Sequence, residues 1–300
     1  MVRPRAFYSD PDTAATNSFQ RESADSPATL LATAIQEFDA AVQEIRDHGV
    51  KVLVVEDTAP GDKPDAIFPN NWFSTHEDGT VVLYPMATAS RRLEREIPVL
   101  DSLQDVGFRI DEIVDMSFYE EEGQFLEGTG SMVLDRINRL AFAGLADRTD
   151  PVLVRTFGNE LGYETYTFAT ADRNGQSIYH TNVMMSIGTG YAVVCLEAVK
   201  HEHERSELRS RLRQWGHQVI EITFEQMEDF AGNVIEVQNE KGEKLLLLSN
   251  SARDGLRPDQ IEALIQHVEL LPVDVSTIQR IGGGGIRCMV AEVFLEEVPS

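Results

Sequence analysis

Four consecutive glycines, Gly282 to Gly285, lead through Ile286 and Arg287 to Cys288. Glycine is used where the backbone takes special dihedrals or where another group must approach the main chain closely. Cys288 is followed by Met289-Val290-Ala291-Glu292-Val293-Phe294, which reads as a mostly apolar strand. A thiol at that junction is placed to face a pocket as a nucleophile. It reads equally as a core cysteine, since free cysteines are often buried and inert. Among seven histidines, only His180 lies in an otherwise apolar and hydroxylic strand, Tyr179 to Met185. His48 and His217 sit beside glycines that end helices, where imidazolium favours the helix dipole. His76 falls in a hairpin turn, His201 and His203 in a charged surface stretch, and His267 late in an amphipathic helix. If Cys288, His180 and Glu127 converge, they supply a nucleophile, a general acid/base and a carboxylate that orients the imidazole. A neighbouring imidazolium lowers a thiol's pKa and favours the reactive thiolate.

Other chemistries fit less well. The glycine run lacks the phosphate-loop and dinucleotide signatures, and a strand rather than a helix is expected after it. The second cysteine, Cys195, sits in the apolar run Tyr191 to Leu196 and reads as core. Two cysteines are too few for a disulfide scaffold or a structural zinc site. The formal net charge of −24 argues against a nucleic-acid or anionic-membrane partner, because each needs a basic face. No apolar run reaches the roughly 18–20 residues that span a bilayer. The N-terminus has no signal-peptide core, so the cytoplasm is the expected location.

The elements that must position these residues recur as a phrase of helix, glycine and strand. Ser26 caps a helix that opens at Pro27 and carries Leu31, Ala34, Phe38, Ala41, Val42 and Ile45 on one face. Gly49 ends it, and Val50 to Val55 read as a buried strand. The phrase returns as Leu100–Val106 with Phe108–Ile110, as Arg205–Trp215 with His217–Ile222, and as a helix over Pro258–Leu270 before Pro272–Val275. A polar loop follows each strand. With Asn71, Glu127, His180, Gly232 and Cys288 as markers, the separations are 56, 53, 52 and 56 residues. That period predicts an internal repeat of strand, strand, helix and strand. Five such units, closing radially with helices outside, bring the loops to the axis. No Pro-, Gly- or Ser-rich linker divides the chain, so one domain over 1–300 is expected. The acidic stretch 116–123 reads as solvated surface.

Asp65-Ala66-Ile67-Phe68 with Asn70-Asn71, then Glu127-Gly128, His180-Thr181-Asn182 and the glycine run with Cys288 resemble the guanidino-group-modifying superfamily. Its members are arginine deiminases, dimethylargininases and amidinotransferases. The resemblance covers nearly the whole chain. Residues Thr13 to Gln20 and Ser90 to Glu94 are similar to the citrulline-utilisation hydrolase branch. The resemblance implies an α/β, five-bladed pseudo-symmetric propeller (the pentein fold) with no metal or organic cofactor. It implies Cys288 as nucleophile, His180 as acid then base, and Glu127 as the carboxylate beside it. It further implies Asp65, Asn71, Asn182 and Asn17 around the substrate, and Arg91 or Arg92, with Arg92 preferred, for a substrate carboxylate. Guanidinium-binding members typically carry carboxylates where this chain has Asn71 and Asn182. Amides offer both donor and acceptor and suit a neutral ureido group. The expected activity is therefore cysteine-dependent hydrolysis of a linear C–N bond, citrulline to ornithine. Arginine dihydrolase or deiminase, amidinotransfer, and a silent amino-acid-binding scaffold are the alternatives. The expected partner is a small amino acid, and the reading allows a homo-oligomer.

Overall fold

The computed structural model describes residues 1–58 and 61–298. Among them, fourteen short strands form five small sheets. Four sheets share one plan: an antiparallel hairpin, then a helix, then a third strand parallel to the second. They are β3 (Phe73–Thr75), β4 (Thr80–Leu83) and β5 (Glu112–Asp115); β6 (Val133–Asp135), β7 (Leu140–Leu145) and β8 (Glu164–Ala169); β9 (Met185–Gly188), β10 (Tyr191–Val194) and β11 (Gln218–Glu221); and β12 (Ile235–Gln238), β13 (Lys244–Ser249) and β14 (Glu269–Val273). The helices Val99–Asp105, Pro151–Leu161, Glu202–Gln214 and Pro258–Ile265 each precede the third strand. The fifth sheet is reduced to β1 (Val2–Arg3) and β2 (Val55–Glu56), parallel and joined through the helix Pro27–Asp47. This repetition is what the period of the polar loops reflects.

The helix Pro27–Asp47 forms as its sequence dictates. Ser26 accepts from the Thr29 amide, Pro27 occupies the first turn, and Gly49 takes φ 80° beyond the end. Leu30 rather than Leu31 is the fully buried residue at its start. Several expected boundaries move. Val50 to Val54 form no strand, and pairing is confined to Val55 and Glu56 because their partner strand offers two residues. The strand expected at Phe108–Ile110 lies instead at Glu112–Asp115. The last of the repeated helices ends at Ile265, not Leu270. Met289–Phe294 is not a strand either. Cys288 sits in a helical turn, Ile286–Met289, and the chain then runs irregularly past Thr75, whose hydroxyl donates to the Glu292 carbonyl at 2.9 Å. The acidic stretch is anchored: Glu120 pairs with Arg95 at 2.6 Å and accepts the Met86 amide at 2.8 Å. Among the described residues no helix is long and apolar enough to cross a membrane.

Candidate active site

A short turn precedes the first strand of each hairpin, and these turns carry the polar residues. Asn71 ends Pro69–Asn71 before β3. Glu127 and His180 occupy the N-cap positions of Gly128–Ser131 and Thr181–Met184, before β6 and β9. Asn233 precedes β12, and Cys288 lies in Ile286–Met289. The turns touch one another in series. Asn70 donates to the Thr129 hydroxyl at 3.1 Å, and the Thr181 hydroxyl donates to the Ser131 carbonyl at 2.6 Å. Asn233 donates to the Asn182 carbonyl at 2.9 Å, and the Gly285 amide donates to Asn233 Oδ1 at 3.1 Å. The turn bearing Cys288 packs back against Pro69–Asn71. Residues far apart in sequence thus meet because each is carried by the same position of a repeated unit.

Glycine permits this closeness. A Cβ at Gly130 would collide with Asn71 Nδ2 and lie 2.7 Å from His180 Nδ1. Gly283 takes φ 67°, and a Cβ there would sit 2.6 Å from Asn17 Nδ2.

His180 is 1% exposed, and its Nε2 meets Glu127 Oε2 at 2.8 Å. Glu127 also accepts the Ala87 amide at 3.1 Å and a donor of Arg148 at 3.4 Å, with Arg91 at 3.8 Å. Burial favours a protonated Glu127, but Arg148, His180 and Arg91 together outweigh it and hold the carboxyl well below the usual range. Burial pushes the His180 pKa down to about 4, against the pull of Glu127. The resting imidazole is therefore neutral at pH 7, with Nε2–H donating to an ionised Glu127.

The Cys288 thiol is 2% exposed. Its side-chain partners among the described residues are two amides, Asn233 Nδ2 at 3.2 Å and Asn182 Nδ2 at 3.5 Å. Burial raises its pKa, while Asn233, Arg287 and Asn182 act in the opposite direction. Cys195 is fully buried in the core with its thiol pushed up to about 12 by burial.

Asn71 accepts from Arg91 at 2.6 Å. Arg91 is 2% exposed and grips Glu94 through two bonds of 2.8 and 2.9 Å. Arg92 stands apart. It is half-buried, donates to the Met86 carbonyl at 3.0 Å, and pairs with Glu120 at 3.3 Å. Of the two adjacent arginines, Arg91 is the one that faces Asn71 and Arg92 the one that faces Glu120. Asn17 meets the glycine run, with Nδ2 3.4 Å from the carbonyls of Gly282 and Gly283. Sequence reasoning passed over Arg148 and Asn233. Arg148 stands alone in a turn and carried no signal, whereas Asn233 was in view beside the marker Gly232. A surface cleft of about 320 Å³ reaches Phe19 and Phe230 but is lined by none of Cys288, His180 or Glu127.

Asp65 is 3% exposed, and its Oδ1 has no hydrogen-bond partner among the described residues. Burial pushes its pKa up from 3.8 to about 6, with Arg91 opposing. A carboxyl raised in the folded state costs stability at pH values above the folded pKa and none below the unfolded one. Asp65→Asn is thus expected to stabilise the fold by up to about 3 kcal/mol at pH 7. The gain should shrink as pH falls below 6 and vanish near 4, as read by chemical denaturation across that range. A gain that stays constant with pH would contradict the account.

Sheets of this plan, with polar turns gathered at one place, belong to the guanidino-group-modifying superfamily. The sequence matches the family of N,N-dimethylarginine dimethylhydrolases, eukaryotic type, over residues 3–295, and the chain belongs to that family. Solved structures share the fold at low identity. ArgZ, an arginine dihydrolase from the ornithine-ammonia cycle in cyanobacteria, superposes with a TM-score of 0.74 at 16% identity, over 98% of this chain and 40% of its own. This chain therefore spans well under half of that protein, and the ArgZ N-terminal domain alone, crystallised with substrate, is covered to 98%. A dimethylarginine dimethylaminohydrolase adduct gives 0.61 at 15% identity, over 86% and 90% of the two chains. No curated protein matches the sequence significantly.

Proposed function

We propose that this protein is a cysteine hydrolase that cleaves a linear C–N bond of a ureido amino acid, converting citrulline to ornithine, ammonia and carbon dioxide. The observation that carries the reading is the pair of neutral amides on the Cys288 sulfur, Asn182 and Asn233, beside the His180–Glu127 pair. A guanidinium needs an ionised carboxylate next to its carbon. Here Glu127 already faces Arg148 and Arg91, and the side chains on the sulfur are the amides of Asn182 and Asn233. A neutral ureido head meets no such cost and can use the amides as donors and acceptors.

In this reading the thiol proton passes to His180, and the Cys288 sulfur attacks the ureido carbon. The C–N bond to the ornithine side chain breaks, and the imidazolium returns its proton to the departing amine. Water, giving a proton to His180, attacks the S-carbamoyl carbon and expels the thiolate. The released carbamate breaks down to ammonia and carbon dioxide. Asp65 faces the ammonium end of the amino acid. The same scheme sits on one five-bladed domain over 1–300, acting in the cytoplasm. What supports the closed arrangement is the series of contacts among the five turns. A second reading, arginine dihydrolysis, also ends at ornithine and is favoured by the likeness to ArgZ. Amidinotransfer and a silent scaffold have no observation of their own.

Product analysis with citrulline, arginine, agmatine and methylated arginines tests the choice. The highest kcat/KM is expected for citrulline, with ornithine and ammonia as products. Citrulline accumulating from arginine would contradict it. The amides give a sharper prediction. In the double variant Asn71→Asp and Asn182→Asp, the arginine-to-citrulline ratio of kcat/KM is expected to rise by about ten-fold or more, because a carboxylate within about 4 Å of a guanidinium is worth several kcal/mol at intermediate dielectric, less desolvation. Arg91 already faces Asn71, so most of the change should come from Asn182. An unchanged ratio in a folded variant would mean these amides do not read substrate charge.

A further inference from the structure

We propose that Asn233 is a catalytic residue of this site, clamping the Cys288 sulfur and the glycine run together so that the sulfur is aimed at the substrate carbon and its thiolate is stabilised once the proton has left. The inference rests on Cys288 being the nucleophile. Asn233 is 1% exposed and uses both ends of its amide. Nδ2 donates to Cys288 Sγ at 3.2 Å and to the Asn182 carbonyl at 2.9 Å. Oδ1 accepts the Gly285 amide at 3.1 Å, at the N-cap of the turn that carries the cysteine. One side chain therefore fixes the sulfur, the backbone that presents it, and the neighbouring turn that presents His180. Asn182 is farther from the sulfur, at 3.5 Å, and anchors no part of the Cys288 turn.

The backbone supports the assignment. Phe230, three residues earlier, takes φ 64°, a left-handed conformation that a bulky residue rarely adopts. It is held there by edge-to-face contact with Phe19, ring centroids 5.5 Å apart. The Phe230 carbonyl accepts the Asn233 amide at 2.9 Å, closing the turn that aims the side chain. Strain of this kind concentrates at functional sites.

Hydrogen bonds to a charged form favour it, so a donor on sulfur should tilt the thiol toward thiolate. The other charged and titratable groups around Cys288 are Arg287 on its own turn, Arg91 and Tyr179. All remain in place in the variants below.

The test measures the rate of Cys288 alkylation by iodoacetamide as a function of pH, in the full chain carrying Cys195→Ser. Asn233→Asp keeps the acceptor for the Gly285 amide and exchanges the donor on sulfur for a carboxylate oxygen. Alkylation at pH 7 should fall about ten-fold or more, since like charge disfavours the thiolate, and the pH profile should move to higher pH. Asn233→Ala, which adds no charge, should move the profile the same way by less, and it carries the test if the aspartate variant does not fold. Profiles that superpose on the parent in folded variants would overturn the proposal. An error in the underlying reading would appear elsewhere: turnover by Cys288→Ser would remove the nucleophile, while an unmoved profile removes only the role of Asn233.

Discussion

Cys288→Ser is expected to lower turnover of the best substrate by at least about 10⁴-fold while the protein stays folded, because a serine hydroxyl does not ionise where a thiol does. Cysteine and serine differ by one atom, so the packing of Cys288 beside Ile286 and Met289 changes little. Its neighbours Asn182 and Asn233 are polar and can donate to a hydroxyl as well. Cys195→Ser serves as the comparison. Cys195 lies in the core just past β10, where its amide donates to the Met184 carbonyl at 2.8 Å, and replacing its thiol is expected to leave kcat near the parent value while lowering stability slightly. Steady-state kinetics on both variants, with near-ultraviolet circular dichroism for folding, decide the matter. Comparable losses in both would deny Cys288 a special role.

Glu127→Gln should produce the second largest effect, and on two quantities at once. Arg148 is buried, with a side-chain exposure of 3%, and Glu127 is its ion-pair partner at 3.4 Å. Arg91 keeps Glu94 when Glu127 is neutralised, but among the described residues Arg148 keeps no carboxylate, just the Thr13 carbonyl, the Thr16 hydroxyl and the face of Tyr179. Leaving a buried charge uncompensated costs about 3–5 kcal/mol. The carboxylate also stabilises the imidazolium that forms on His180, so kcat should fall by about 10²–10⁴-fold. The pH dependence follows from the depressed pKa. Glu127 is ionised in both states above its ordinary value of 4.5, so its contribution is present in full there and is lost as pH falls toward the lower folded value. The stability gap between parent and variant should be constant from neutrality to about pH 5 and narrow in acid. A gap that widens in acid would contradict the ion-pair account.

The repeat was legible because its signals are local. A capped helix, a glycine in left-handed conformation and an apolar strand recur, and Gly107 and Gly216 do take φ of 95° and 88°. Strand limits were less legible, because pairing is a property of two segments. Val50, Val52, Leu53 and Val54 are apolar since they pack, half-buried, against the core, with no ladder to join. Met289 to Phe294 likewise read as a strand from composition, and the turn at Ile286–Met289 is set by Asn233 and the Gly285 amide, 52 residues apart. The sequence places His217 at a helix end, as an imidazolium facing the dipole. Its partner is Asp135, at 2.6 Å, on a different sheet. The spacing of the markers Asn71, Glu127, His180, Gly232 and Cys288 carries the repeat of the turns, and the resemblance adds Asn182, but neither separates the two arginines. Arg91 and Arg92 are neighbours in sequence, and only the three-dimensional packing turns one inward and the other toward Glu120.

The central claim is that a C–N bond of the substrate is exchanged for a bond to the Cys288 sulfur. Rapid quenching of the full-length protein during turnover of citrulline, followed by peptide mass spectrometry, tests it directly. The account predicts a carbamoyl group on the peptide containing Cys288, absent from Cys288→Ser. Turnover to ornithine with an unmodified Cys288 peptide at every time point, or the same adduct on Cys195, would contradict it.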